Sequence, residues 1–226
     1  MAAIRASKQP LRRRPGRPVG SQPGESQQAL LKAARGLMVE KGLPRITLRE
    51  VAERAGVQPA LVSYYFGGKA GLLRAVVADV AERAIERAAA SLAGPGSAPE
   101  RLRAFLRAVI AGFAEEPYGP RLMVEQVLFG REEVIEEYAS RFARRHLELL
   151  RGLLEDGVAE GSFRRVDPVF LVPQLVGGSV FFFLSHPLLA RLFQLGRITP
   201  EIAQRFADQA ADVVLRGICA PARAAR

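Results

Sequence analysis

Apolar residues recur with the period of an α-helix along most of the chain. The first such segment places five of them at i, i+3, i+4, i+7 and i+8, on one helical face: Leu30, Ala33, Ala34, Leu37 and Met38. Gly42 directly follows Lys41. Because glycine readily takes the left-handed backbone that closes a helix, the first helix should end there.

Two short helices are predicted next. Thr47 and Glu50 form a capping box, in which each side chain satisfies a backbone N–H of the other residue, so a helix should begin at Leu48. Gly56 breaks that helix, and Pro59 suits the first position of another, where its missing N–H costs nothing. Two short helices joined by a glycine-containing turn predict a helix-turn-helix.

The rest of the chain also has helical periodicity. A helix from Lys69 to about Leu92 precedes a break at Gly94–Gly96, and a second capping box spans Ser97 to Glu100. Further helices are predicted over four ranges: Arg121–Phe129, Glu132–Gly161, Pro168–Leu184 and Glu201–Ile218. No strand alternation or nucleotide-binding glycine pattern appears in the sequence, so the predicted fold class is all-α.

Composition narrows the kinds of site that are possible. One cysteine and two histidines in 226 residues leave no disulfide framework and no legible metal site, and no cofactor is predicted. The N-terminus lacks the apolar stretch of a signal peptide, so we expect a cytoplasmic protein.

Residues 168–190 carry no charge, and the segment is long enough to be considered as a membrane-spanning helix. Their prolines, glycines and polar residues favour a buried helix or a subunit contact, and we expect no membrane association.

Positive charge is concentrated at the N-terminal end. Residues 1–75 contain 14 Lys or Arg against 4 Asp or Glu, which accounts for the whole formal net charge of +10. Such an asymmetry indicates a polyanionic partner at that end, although a solubilising tail would produce part of it. We therefore divide the chain into a disordered basic arm (1–24), a helix-turn-helix domain (25–75) and a second helical domain (76–226).

The second short helix has an unusual outward face. Val57, Val62 and Phe66 can point back into the bundle, which leaves four residues outward: Pro59, Ala60, Ser63 and Tyr64. Small side chains let a helix enter the major groove of double-stranded DNA, where a tyrosine ring can contact a thymine methyl group. Gln58 and Tyr65 can reach a base or the backbone beside that face, and Lys69 begins the next helix, where phosphate is attracted.

The block from Ile46 to Leu73, including "TLREVAERAGV" and "YYFGGKAGLL", resembles the DNA-binding domain of TetR-type transcriptional regulators. The resemblance covers about residues 26–75. It implies an N-terminal three-helix DNA-binding domain followed by an all-helical domain for ligand binding and dimerisation.

The resemblance also implies individual roles. Thr47, Tyr65 and Lys69 match phosphate contacts, and five residues match positions at bases or nearby backbone: Gln58, Pro59, Ala60, Ser63 and Tyr64. Gln58 and Ser63 stand where many relatives have serine and tyrosine, which alters base preference. Packing between helices is the alternative role for the two tyrosines.

The arm contains the segment "RRRPGRP" at residues 12–18. It is similar to AT-hook-like segments, in which arginines such as Arg14 and Arg17 enter a narrow minor groove. A solvated tail that touches only phosphates remains equally compatible with this composition.

A regulator that responds to a ligand needs a cavity in its second domain. Eight residues are candidates for its lining: Phe105, Val109, Phe113, Met123, Val127, Tyr138, Phe142 and His146. They predict a small effector of apolar or amphipathic character. Plain core packing is the alternative for each apolar residue, and a satisfied core or rim position is the alternative for His146.

The last two long helices are the candidate dimer contact. The helix Pro168–Leu184 is apolar nearly all round, and such a helix must be covered on every side. Packing against a second copy would cover it, through seven residues of these helices: Phe170, Gly177, Gly178, Phe181, Phe206, Ala210 and Val213. A monomer that buries them internally is the alternative.

These patterns together predict a DNA-binding regulator. We expect a homodimeric repressor on a palindromic operator, in which the effector shifts the populations of two conformations and the helix from Lys69 acts as the hinge. An enzyme is disfavoured, since no nucleophile–base pair, metal spacing or phosphate-binding loop is legible. A ligand-independent architectural DNA-binding protein is the second alternative.

Overall fold

The computed structural model describes residues 23–42 and 45–220. Within these residues the chain forms eleven α-helices and no strand. The helices are α1 (Pro23–Lys41), α2 (Leu48–Ala55), α3 (Pro59–Phe66), α4 (Lys69–Leu92), α5 (Ala98–Glu115), α6 (Gly119–Met123), α7 (Glu132–Tyr138), α8 (Arg144–Ala159), α9 (Pro168–Leu184), α10 (His186–Leu192) and α11 (Pro200–Ile218). The predicted all-α fold class is confirmed.

The N-terminal helices begin and end close to their predicted positions. α1 ends at Lys41, and Gly42 follows with a φ of 79°, in the left-handed region. Pro23 and Gly24, which were assigned to the basic arm, are instead the first residues of α1. Arg14, Arg17 and the rest of the arm up to residue 22 lie outside the described residues.

Two predicted helices are interrupted by π-helical turns. The first π-helical turn (Val124–Leu128) follows α6, and the second (Ala139–Ala143) divides the predicted helix 132–161 into α7 and α8. A π-helical turn fits one more residue into a helical turn and so rotates the face that follows it. Ile135 on α7 is exposed, whereas Phe142 within the second π-helical turn is buried. α10 was not predicted at all.

Two hydrophobic cores are joined by α4. The first core unites α1 to α4 and includes Val62, Leu72 and Val76. The second core unites the end of α4, from Ala88 to Leu92, with α5, α8, α9 and α11. We call α1, α2, α3 and the start of α4 the N-terminal module. Because one continuous helix contributes to both cores, the position of this module depends on the direction of α4.

The described residues were also searched for membrane spans and metal sites. No single helix among them has the length and apolar content to cross a membrane. Together, α9 and α10 are long and apolar enough, but the chain bends by 66° between these two helices. No group of three or more potential metal ligands occurs in the same residues.

The second core contains one close approach that only glycine allows. A Cβ added to Gly157 on α8 would overlap the ring of Phe163, which is buried. We expect Gly157→Ala to lower the free energy of unfolding by about 1–3 kcal/mol, because the ring must shift within a packed core. Chemical denaturation followed by circular dichroism would measure the loss.

Gly152 is the matched control on the same helix. A Cβ there meets nothing within 4 Å. Gly152→Ala should therefore raise the free energy of unfolding by about 0.5–1 kcal/mol, since alanine loses less backbone entropy than glycine in a helix. Equal effects of the two substitutions would contradict the packing described for Gly157.

Candidate nucleic-acid interface and effector cavity

The start of α2 is fixed by the predicted capping box. The Thr47 hydroxyl accepts from the Glu50 N–H at 3.3 Å, and the Glu50 carboxylate accepts from the Thr47 N–H at 3.0 Å and from its hydroxyl at 2.8 Å. Lys41 donates to the same carboxylate at 2.7 Å. The Lys41 ammonium, followed by the Thr47 side chain and backbone, lowers the pKa of Glu50 to about 2.

A second ion pair holds α1 against α2. Arg54 donates two hydrogen bonds of 2.7 Å to the two carboxylate oxygens of Glu40. This bidentate geometry is the strongest arrangement available to a guanidinium and a carboxylate, and the hydrogen bond to Arg54 lowers the pKa of Glu40. The orientation of α2 on α1 is therefore set by contacts at both ends of α2.

One face of α3 is buried against the first core, and the opposite face is exposed. Val62 and Phe66 are buried in the first core, and Val57 packs against it. Pro59 occupies the first turn of the helix, while Gln58 caps it without a side-chain hydrogen bond. The amide of Gln58 is thus available to another partner.

The outward face of α3 has the predicted composition. Five of the predicted DNA-contacting residues on and beside it are exposed: Gln58, Pro59, Ala60, Ser63 and Tyr64. Tyr64 is 79% exposed, which is unusual for a large aromatic side chain that has no partner to cover it. Tyr65 is different, because it is half-buried against the first core and its ring meets that of Tyr64 edge-on at 5.3 Å.

The glycines between α3 and α4 make a turn that no other residue permits. Gly67 and Gly68 have φ values of 66° and 115°, where side chains are strained. A Cβ on Gly71 would overlap the carbonyl oxygen of Phe66. The sequence "FGGKAG" therefore sets the start of α4 against the end of α3.

Lys69 ties this turn to the start of α2. Its ammonium donates to the carbonyl oxygen of Ile46 at 2.9 Å. An ammonium has three donors, so two remain for an anion. Thr47 follows Ile46 directly and is exposed, which brings the two predicted phosphate-contacting side chains to one edge of the module.

A chain of ion pairs connects this module to the second domain. Arg35 on α1 donates to Asp79 on α4 at 2.7 Å, and Arg83 reaches the same carboxylate at 3.2 Å. Arg83 also pairs at 2.8 Å with Glu116, which is buried at the end of α5. Burial opposes the charge of Arg83, but its carboxylate partners raise its pKa overall. None of these four pairing residues was singled out from the sequence, because Arg35 and Glu116 are far from Asp79 and Arg83 along the chain.

The eight predicted effector residues do not come together. Val127, Tyr138 and Phe142 line one cavity of about 580 Å³, and the Tyr138 hydroxyl lies 4.0 Å from the Met123 sulfur. The cavity lies between α1, α4, the first π-helical turn, α7 and the second π-helical turn, and we call it the junction cavity.

The other four candidates belong elsewhere. Phe105 is buried in the second core and Val109 packs against that core, whereas Phe113 meets Phe183 edge-on at 5.6 Å. His146 lies 3.3 Å from the Phe142 carbonyl oxygen, and burial lowers its pKa. These side chains lie in packing environments, which was the alternative considered for each.

The seven predicted dimer residues lie on α9 and α11. Five of them are exposed: Phe170, Gly177, Gly178, Phe181 and Val213. Phe206 and Ala210 are half-buried, and Phe206 stacks on Phe182 at 3.9 Å between ring centroids. The exposed fractions of Phe170, Phe181 and Val213 are 69%, 68% and 62%. An apolar surface is thus left uncovered on the single chain.

Two family models match most of the chain. Residues 30–76 match the model described as "Bacterial regulatory proteins, tetR family", and residues 96–224 match "Tetracyclin repressor-like, C-terminal domain". The first match contains α2, α3 and the turn before α4. The second spans α5 to α11.

Individual relatives agree with these models. The chain is 28% identical over 165 residues to the HTH-type transcriptional regulator BetI of Rhizobium meliloti, covering 68% of this chain and 79% of that one. A BetI from Burkholderia mallei is 43% identical over 72 residues, but that match spans only 32% of this chain and 35% of the relative. A crystal structure of a TetR/AcrR-family regulator from Thermobifida fusca superposes with a TM-score of 0.65 at 28% identity, over 84% and 97% of the two chains.

The lowered pKa of Glu50 makes the module's stability depend on pH. Its carboxylate stabilises the folded state above its ordinary pKa of 4.5, and the contribution is lost as the pH falls toward about 2. Glu50→Gln should therefore lower the unfolding midpoint by a few degrees at pH 7, with a difference from the wild type that narrows below pH 4.5. Thermal unfolding at several pH values between about 7 and 3 measures this.

Glu53→Gln serves as the control on the same helix. Its carboxylate pairs only with the exposed Arg49, a type of ion pair that contributes little. Its unfolding midpoint should stay close to that of the wild type at every pH. A Glu50→Gln deficit that stays constant down to pH 3 would show that the charge is not responsible.

Proposed function

The chain belongs to the TetR family of bacterial transcriptional regulators, which bind DNA, respond to small molecules and act as dimers, and on that premise we propose that it is an effector-released repressor of a two-fold symmetric operator. It is a regulator and not an enzyme. The observation that carries the proposal is the exposed face of α3, where small residues surround Tyr64.

We assign the face of α3 to the major groove. Ala60 and Ser63 are small enough for close approach, and Tyr64 projects from between them. The hydroxyl of Ser63 can bond either type of base edge, and the tyrosine ring suits a thymine methyl group. Gln58, whose amide makes no capping bond, is placed to contact adenine or the backbone.

Phosphate contacts lie beside this face. Lys69, Thr47 and the N-terminus of α4 are at one edge of the module, and all three favour an anion. The half-buried Tyr65 has a mainly structural role in this arrangement, with its hydroxyl toward a strand backbone. Phosphate contacts of this kind fix the register of the helix and leave the choice of sequence to α3.

We assign the dimer contact to the exposed faces of α9 and α11. Two copies packed through Phe170, Phe181 and Val213 cover apolar side chains that one copy leaves in water. The exposed Gly177 and Gly178 permit close approach of the partner helix. A two-fold dimer places the two copies of α3 about 34–36 Å apart, or a multiple of that, which requires a palindromic site.

The effector acts by selecting one of two conformations. α4 contributes to both cores, so a ligand that favours a different inclination of α4 displaces α3 from its groove. The lining of the junction cavity supports a small apolar or amphipathic effector. Such a regulator works beside the DNA it controls, and we place it in the cytoplasm.

Substitutions on the proposed interface should separate affinity from specificity. Lys69→Ala should weaken binding to all duplexes alike and reduce the slope of log K against log salt by about 1, because one phosphate contact is lost. Tyr64→Ala should also change the preferred bases, at about 1–3 kcal/mol for the affected position. Selection of bound sequences from random DNA, followed by titrations at several salt concentrations, measures both effects.

Arg144→Ala is the charge control, since Arg144 is an exposed arginine on α8, outside the N-terminal module. It should leave affinity and salt slope near wild-type values. The wild-type selection should return a palindrome. Wild-type protein that ignores duplex DNA at low salt would overturn the proposed function.

The dimer assignment makes a separate prediction. Phe181→Glu should convert the dimer to a monomer, because two carboxylates would face each other in an apolar contact. Sedimentation equilibrium gives the mass directly. Phe129→Glu is the control, since Phe129 is 82% exposed beside the first π-helical turn, and this variant should remain dimeric. A dimeric Phe181→Glu protein would refute the assignment.

A further inference from the structure

The junction cavity has walls from both parts of the molecule. Gln27 and Leu31 line it from α1, and α4 contributes a row of residues from Arg74 to Glu82. The opposite wall comes from Gln126 to Phe142, which includes parts of both π-helical turns. Its volume of about 580 Å³ lies within the range of about 300–1,000 Å³ typical of small-molecule sites.

Both π-helical turns direct residues into this cavity. The first contributes Gln126 and Val127, and the second contributes Arg141 and Phe142. Such turns replace the regular hydrogen-bond ladder with a poorer one and occur frequently at functional sites. The coincidence of two of them at one cavity distinguishes it from an accidental packing gap.

The carboxylates of the lining are already neutralised. Asp79 pairs with Arg35 and Arg83, Glu82 pairs with Arg145 at 3.0 Å, and Glu137 pairs with Arg141 at 3.0 Å. An organic cation would have to displace an arginine from one of these pairs. The lining therefore offers no carboxylate that is free to hold a positively charged ligand.

The uncommitted polar groups of the lining include the donors that a carboxylate requires. Within residues 23–42 and 45–220, the guanidinium of Arg74 has no hydrogen-bond or ion-pair partner, and neither have the amides of Gln27 and Gln126. The Tyr138 hydroxyl has only the weak contact with the Met123 sulfur. Burial raises the pKa of Tyr138, so its hydroxyl keeps its proton at neutral pH.

We infer that the junction cavity is the effector site and that it binds an amphipathic carboxylic acid. Arg74 holds the carboxylate, and the apolar body lies against Leu31, Val127 and Phe142. A guanidinium can grip a carboxylate with two parallel hydrogen bonds, a geometry unavailable to an alcohol or an amine. This inference rests on the proposed function, because it identifies the ligand of the same switch.

The location of the junction cavity explains how a bound effector changes the position of the DNA-binding face. An occupant touches α1 directly through Gln27 and Leu31. It also lies beside Asp79, whose ion pair with Arg35 joins α4 to α1. A ligand that separates α1 from the π-helical turns therefore changes the inclination of the whole N-terminal module.

The test uses three ten-carbon probes that differ only in the head group: decanoate, 1-decanol and decylamine. Calorimetric titration of the wild-type protein should show decanoate binding at least about tenfold more tightly than the other two. Arg74→Gln should weaken decanoate binding by about tenfold or more and leave 1-decanol binding unchanged. Arg144→Gln, at an exposed site outside the cavity, should change neither.

The same samples are titrated with the selected duplex. Decanoate should weaken DNA binding by the wild type and should do so far less in Arg74→Gln. The inference is overturned if decanoate fails to bind, if the alcohol or amine binds as tightly, or if Arg74→Gln binds decanoate normally. It also fails if decanoate binds without affecting DNA affinity. All these outcomes leave DNA binding itself intact, whereas protein that does not bind DNA refutes the proposed function instead.

Discussion

The continuous helix α4 is the constraint on which the rest of the molecule depends. Its first half is buried with α1, α2 and α3 through Leu72 and Val76, and its last turns are buried in the second core through Ala88 and Leu92. A helix of 24 residues is stiff, and both of its ends are packed among buried side chains. The N-terminal module therefore cannot tilt without a change in the second domain, and the second domain cannot move α4 without moving the module.

The turn between α3 and α4 ties the exposed face of α3 to the direction of α4. Because Gly71 lets α4 pass against the Phe66 carbonyl, the N-terminus of α4 opens beside the exposed face of α3. Lys69 then reaches back to Ile46 and brings the start of α2 to the same edge. The exposed face of α3, Lys69 and Thr47 thus share one frame, so a change in the direction of α4 displaces them together.

Apolar and ionic contacts both join the N-terminal helices to the second domain. The first core includes Tyr118 and Leu122, which lie beyond α5 in the chain. An ionic chain also runs from Arg35 on α1 through Asp79 and Arg83 on α4 to Glu116 at the end of α5. Glu116 in this chain is buried, whereas Arg35, Asp79 and Arg83 are partly exposed. Asp79 also lines the junction cavity, so the proposed effector would lie against this chain.

The sequence alone determined the features that depend on interactions between residues close together along the chain. The capping box at Thr47, the ends of α4 and the outward residues of α3 follow from spacing and turn chemistry within a few residues, and the family resemblance rests on the same block. It did not determine which of the predicted residues share a cavity. The two π-helical turns interrupt the predicted helices, and Ile135 on α7 is exposed. Val127, Tyr138 and Phe142 reach the junction cavity, whereas Phe105 and Val109 belong to the second core. Arg74 and Gln27 line the cavity without having been predicted. A helical stripe shows which residues turn away from water. Only the tertiary structure decides whether they meet other side chains or an empty space, because that depends on residues brought together from distant parts of the chain.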